Sequence, residues 1–532
     1  MTADAPLAEV LEGKLPEVVA RCERWVRERP LPGLVAGAVT ADRVLLERCF
    51  GLADVAAGAP VTPQTTFRIA SVTKTMTAVA LMQQWEAGKF ELDDPVNDYL
   101  PLDRVGPVGT GKPGDPPVTF RHLLTHTGGV GELKSLRDLL HLCTLAFFVN
   151  PKRSPLLPLE RIYRRGLPCH ATPGTKYAYA NHGATLLGYL LEVLSGESYH
   201  DYLRRHLFEP LGMTRSDAYL SERVAPTLAV GYARRRGRWK PKPFLRTWVR
   251  PAGGVYSSLE DVNAYAAALL ANFRESPAPR VRLLRPETLR MMVAPQFSLD
   301  PRAGKIGLIF DLFELAGHRF AWHGGLTLGF SSALYLVPSE GVGLFLSTNA
   351  SRGSPAYGLG REVWWRVLGV DPAEERKNLT GHPATRDVAF LSRLVGTYGP
   401  TPGFLTNLRV YAAAGEYRVE LRRRGEGGGG EPHLVLRSLW GGKRHGARLW
   451  PADPGDPGAF VVVEGASRLT QTPTERVFFR LNAEDHGKAE GFVFGLRFYF
   501  RRGGVHSLRV QLVLLVLLFV AAALIAAFLE LA

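Results

Sequence analysis

Phe67–Phe90 reads FRIASVTKTMTAVALMQQWEAGKF, and the rest of the chain is read outward from it. Between Val72 and Ala87, Ala, Met, Leu and Val recur at helical spacing, which predicts a helix. Ser71 then falls at the helix N-terminus, and an offset of three residues puts Lys74 on the same face one turn on. A serine hydroxyl is a weak nucleophile near neutral pH and needs a base or cation beside it. The helix dipole favours negative charge there, and free backbone N–H groups at the helix start can meet an oxyanion. The layout suits serine acyl transfer. Taken alone, however, S-x-x-K also describes a capped helix with a solvated lysine.

Two later stretches supply matching chemistry. Gly174–Glu192 contains Tyr179, Ala180 and Asn181 immediately before a second predicted helix. A lysine cation beside a tyrosine favours the phenolate, so Tyr179 could take the Ser71 proton and later pass it to a leaving group. Asn181 both donates and accepts, which suits holding Lys74 or a substrate amide. FAWHGGLTLGFSS follows at Phe320–Ser332, with His323, Gly324 and Gly325 expected between two strands. Paired glycines there let a ligand approach the backbone, and the N–H of Leu326 is a candidate second oxyanion donor.

In this order, with FRHLLTHTGG and GGVYSSLEDVNAY between them, these motifs resemble the serine β-lactamase-related superfamily. That group holds class C β-lactamases, D-alanyl-D-alanine peptidases and β-lactamase-like esterases. The resemblance runs roughly from Leu7 to Gly369. It implies an acyl-enzyme on Ser71, with Lys74 assisting deprotonation and Tyr179 as general base and acid. It further implies Asn181 orienting substrate, His323-Gly324-Gly325 lining the acyl side, and no metal or other cofactor. The third motif departs from the Lys-Thr-Gly common in β-lactamases, so the permanent cation that greets a substrate carboxylate is missing. That moves the expectation toward an esterase or amide hydrolase acting on a small ester or amide. A D-alanyl peptidase or weak β-lactamase, and a catalytically silent binding protein, remain open.

The fold class expected is α+β: an antiparallel sheet flanked by helices with an inserted helical region, then a small all-β barrel and one C-terminal transmembrane helix. The corresponding ranges are 1–376 for the hydrolase domain, 377–387 for a linker, 388–503 for a lipocalin-like barrel and 508–530 for the transmembrane helix. The apolar segment Leu133–Phe148 reads as a helix, and would wall the site with apolar side chains suited to acyl or lipid-like substrates.

The 532 residues are 46% hydrophobic and 22% charged, a globular composition. Net charge is +15, yet no nucleic-acid-binding motif accompanies it. Val510–Leu529 is an apolar run with Gln511 its only polar residue, about 30 Å long as a helix, which matches a bilayer core. Arg497, Arg501, Arg502 and Arg509 precede it, and no signal peptide is visible at the N-terminus. A single-pass tail anchor with the catalytic part facing the cytoplasm is therefore expected. Four cysteines, Cys22, Cys49, Cys143 and Cys169, form no metal or redox spacing and read as reduced and without function. Oligomeric state is not legible.

Overall fold

The computed structural model describes residues 6–130 save 30, 148–149, 157–371 save 236, 276–278 and 352–353, and 374. Toward the C-terminus it describes 388–400, 416–423, 432–438, 446–464 save 454, 476–481, 488–494 and 497–501. The chain divides into two compact units, Met1–Ser298 with Gly304–Asp371, and Leu299–Ala303 with Pro372–Ala532.

The first unit is built on a nine-stranded antiparallel sheet. Its central strands are β1 (Gly33–Thr40), β2 (Val44–Asp54), β3 (Asp311–Leu315), β4 (His318–Thr327), β5 (Phe330–Val337) and β6 (Val342–Thr348). The spatial order β3-β4-β5-β6-β1-β2 places the N-terminal strand pair against the C-terminal meander, closed by β1 on β6 from Leu34↔Thr348 to Thr40↔Val342. Every residue of β1, β5 and β6 is buried because helices cover both faces.

Alternation along β1 shows the two faces. Leu34, Ala36 and Ala38 pack with α1 (Leu7–Glu28), while Val35 and Val39 face the opposite helical layer. That layer holds α2 (Thr73–Glu86), α3 (Phe120–Leu124), α4 (Asn181–Ser195) and α5 (Leu259–Asn272). The α1 face is completed by α6 (Pro355–Val367), whose Leu359, Val363 and Trp364 join the Trp25 cluster.

α2 is the innermost helix. All ten residues from Thr73 to Met82 are buried, so it shows no polar face, as expected of a helix surrounded by protein. Its hydroxyls are satisfied locally: Thr75 Oγ1 donates to the Val72 carbonyl at 2.8 Å, and Thr77 Oγ1 to the Pro251 carbonyl at 2.7 Å.

The second unit carries α7 (Val388–Leu394) and eight antiparallel strands. These are β7 (Gly396–Pro400), β8 (Tyr417–Arg423), β9 (Pro432–Ser438), β10 (Ala447–Pro451), β11 (Ala459–Glu464), β12 (Arg476–Leu481), β13 (Ala489–Phe494) and β14 (Arg497–Arg501). The sheet curls until β7 pairs with β14, Tyr398↔Arg501 to Pro400↔Tyr499. Alternate residues point inward and fill the interior: Tyr398, Val419, Leu434, Leu449, Phe460, Phe479, Phe492 and Tyr499 form one buried cluster.

Three expectations need correcting. The His323-Gly324-Gly325 motif lies within β4, not between strands, because the hairpin to β5 turns only at Leu328-Gly329, where Gly329 takes φ +78°. The helix expected over Val72–Ala87 is present as α2, and only its first turn, Ala70–Val72, differs by being wound as 3₁₀. The single-pass membrane anchor is not supported. Among the described residues no helix is long and apolar enough to cross a membrane, and α1, at 22 residues, carries Glu, Lys and Arg along its length. Val510–Leu529 lies outside the described residues, as do Leu133–Phe147 of the expected apolar wall and Cys143.

Trp25 is 1% exposed and donates Nε1–H to Glu362 at 2.8 Å, locking α1 to α6. Trp25→Ala should lower the unfolding free energy by about 3–5 kcal/mol in chemical denaturation. A loss under about 1 kcal/mol would show that this helix layer is not part of the cooperative core.

Candidate active site

Ser71 sits in the 3₁₀ turn that opens α2, directly after Ala70, whose φ of +49° is unusual for a residue with a side chain. The same turn is pressed against β4. A methyl group at Gly325 would lie 2.1 Å from the Ile69 carbonyl oxygen and 2.3 Å from Ser332 Oγ. Only glycine admits this approach, and Ser332 pins it by donating to the Ile69 carbonyl at 2.6 Å. Gly324 serves the opposite face, where a methyl group would collide with the Tyr357 ring at 2.4 Å.

Lys74, one turn into the helix, is 1% exposed. Its Nζ donates to Ser71 Oγ at 3.0 Å, Asn181 Oδ1 at 2.8 Å and the Ala252 carbonyl at 2.5 Å. Acceptors of this kind suit an ammonium, which only donates. The same nitrogen lies 4.7 Å from the centroid of the Tyr179 ring, within cation–π range. Asn181 begins α4 and Tyr179 precedes it by two residues, so one chain segment delivers both groups to Lys74. Ser71, Lys74, Tyr179 and Asn181 are thus brought together.

His323 approaches from the sheet, its ring 6.4 Å from that of Tyr179. It is 3% exposed, and Nδ1–H donates to the Gly324 carbonyl at 2.9 Å. Burial, and next the charge of Lys74, hold its pKa down at about 3, so the imidazole is neutral. Leu326 continues the strand, opposite Ser331, with its side chain 43% exposed. β3 pairs with β4 only as far as Trp322, so no further β3 pairing covers the Leu326 stretch.

Three contributors escaped the sequence reading. The Ala252 carbonyl, the Ser332 hydroxyl and His126 carry no isolated motif, although His126 lies inside FRHLLTHTGG. The His126 ring packs 4.4 Å from the Tyr179 ring, and burial and then Lys74 hold its pKa well below the ordinary histidine range. Of the cysteines, Cys22, Cys49 and Cys169 are free thiols, and burial raises the pKa of each. Among the described residues no cluster of His, Cys, Asp and Glu could hold a metal ion.

A helix-borne serine and lysine, met by a tyrosine at the start of a second helix and by a glycine-rich sheet strand, define a serine hydrolase. The chain belongs to the family described as Beta-lactamase, whose model matches residues 19–366, well over half of its length. It is 27% identical over 434 residues to human beta-lactamase-like 1, covering 79% of this chain and 80% of that protein. It is 28% identical over 382 residues to penicillin-binding protein 4 of Amycolatopsis lactamdurans, covering 70% of this chain and 94% of that one. Among solved structures, the octameric penicillin-binding protein homologue from Pyrococcus abyssi shares the fold. Its TM-score is 0.56 and its identity 22%, over 92% of this chain and 100% of that one.

The two depressed histidines make stability depend on pH. An unfolded histidine takes a proton below its ordinary value of 6.5, whereas folded His323 does so only near 3. Between those values the unfolded state binds more protons, so stability falls as pH drops, by about 1.4 kcal/mol per pH unit for His323, and His126 acts in the same direction. Denaturation from pH 7 to 4.5 should show this fall, and His323→Gln should reduce its slope by the His323 share while leaving that of His126. Equal stability of the wild type across that range would contradict the burial of neutral imidazoles.

Proposed function

We propose that this protein hydrolyses a small, uncharged ester or amide through an acyl intermediate on Ser71. The observation that carries the reading is the Lys74 ammonium, which bonds Ser71 Oγ and Asn181 Oδ1 beside the Tyr179 ring. In the first step Ser71 Oγ attacks the substrate carbonyl and its proton passes to Tyr179, whose phenolate form Lys74 favours. The N–H groups of Ser71 and Leu326 receive the oxyanion, and Tyr179 then protonates the leaving alcohol or amine. A water deprotonated by Tyr179 attacks the acyl carbon and frees Ser71. Lys74, held by the oxygens of Ser71, Asn181 and Ala252, acts as a fixed positive charge and not as the base. Asn181 holds Lys74 and orients substrate, while His323, Gly324 and Gly325 line the acyl side.

The neutral state of His323 favours uncharged substrates. A lysine at that position would attract the carboxylate of a β-lactam, but a buried imidazole without charge offers no such attraction. The relatives named for penicillin binding nonetheless make a penicillin a sensible acylating probe alongside a fluorophosphonate.

Wild-type protein should be labelled by one of these probes, and Ser71→Ala should not. Tyr179→Phe should acylate about 10²–10⁴-fold more slowly. Full-rate acylation by Tyr179→Phe would overturn the base assignment, and failure of every acylating probe on the wild type would favour a binding role.

A further inference from the structure

His126 closes the turn after α3 at φ +56°, a left-handed conformation that a residue with a side chain adopts only when its surroundings enforce it. It is 3% exposed and lies against the segment bearing Tyr179. The backbone carbonyl of His126 accepts the Ala178 N–H at 2.8 Å, and its ring Nδ1 accepts the Ala180 N–H at 3.4 Å. These amides belong to the residues on either side of Tyr179. The imidazole also packs against the phenol ring, with centroids 4.4 Å apart and planes inclined at 42°. The pairing continues down the same two segments, with Gly174 N–H on the Thr127 carbonyl at 2.9 Å and His170 N–H on the Gly129 carbonyl at 2.9 Å.

We propose that His126 is a positioning residue for the reaction: it clamps the amides flanking Tyr179 and braces the phenol ring, holding the general base against Lys74 and Ser71. This rests on the reading of Tyr179 as the base. The ring suits the task in its neutral form only, because Nδ1 must keep a lone pair for the Ala180 amide, which places the hydrogen on Nε2. Nε2 is buried and has no hydrogen-bond partner among the described residues. A side-chain-bearing residue held at an unusual φ costs stability, and such costs are commonly retained where a reactive group is being held. No atom of His126 needs to touch the substrate.

The full chain carrying His126→Gly, His126→Asn or His126→Phe tests this with p-nitrophenyl acetate, measuring the single-turnover acylation rate, KM and thermal unfolding. Glycine accepts the φ but removes both the acceptor and the ring, and should acylate about 10–100-fold more slowly at near-wild-type KM. Asparagine tolerates the same backbone and keeps an acceptor oxygen, so it should recover part of that loss; phenylalanine, which keeps only a ring, should recover less. In the Tyr179→Phe background, His126→Gly should add almost nothing, since both act through the phenol. Wild-type acylation per folded molecule in His126→Gly, or losses that multiply in the double variant, would overturn the proposal. If Tyr179→Phe keeps full activity, the base reading and this proposal both fall. If the wild type cannot be acylated at all, the Tyr179 ring position in crystals of His126→Gly decides: an unmoved ring overturns the clamp, and a displaced ring sustains it.

Discussion

A lysine ammonium enclosed by protein is the constraint around which this site is organised. Withdrawing such a charge from water costs several kcal/mol even after relaxation, and the cost must be met where the ion sits. Lys74 meets it with three oxygens, from Ser71, Asn181 and Ala252, in charge-assisted bonds worth about 1.5–3 kcal/mol each. Those oxygens come from the start of α2, the start of α4 and the chain just before α5, so the lysine fixes the relative placement of three separate segments. Removing it would take a charge-assisted bond from each of them.

The rest of the first unit keeps that arrangement dry and rigid. α2 is buried from Thr73 to Met82, and the sheet strand β4 abuts the Ser71 turn so closely that Gly325 has no room for a methyl group. Protein interiors transmit such contacts with little give, which is why strain at Ala70 and His126 can persist. Low local polarity has a second effect. It keeps both nearby imidazoles uncharged, so the positive charge in the cleft is concentrated on one residue instead of being shared among three. A cleft with this electrostatics is suited to steering a proton between a hydroxyl and a phenol. It is less suited to gripping an anionic substrate.

Much of this was legible in the chain because each motif carried its chemistry in a side chain. Ser71 and Lys74 on one helical turn, and Tyr179 with Asn181 at the start of an apolar helix, were readable once the motifs were taken together and in order, since S-x-x-K by itself also describes a capped helix. What escaped reading acts through the backbone or through a distant partner. The Ala252 carbonyl has no sequence signature, the partners of His126 lie on a segment some fifty residues later, and Gly325, read as leaving room for a ligand, makes room for the Ile69 carbonyl. The C-terminal apolar run Val510–Leu529, on which the expected anchor rested, lies outside the described residues, and among those no helix is long and apolar enough to cross a membrane.

The most direct trial of the central claim is intact-protein mass spectrometry of Lys74→Met after exposure to a fluorophosphonate that labels the wild type. Methionine fills nearly the same space but cannot donate a hydrogen bond or carry charge, and the far-ultraviolet circular dichroism shows whether the fold has survived. A folded variant that gains no adduct on Ser71 is the predicted result. A folded variant labelled as fast as the wild type would mean that the buried cation is structural and that something else activates the serine.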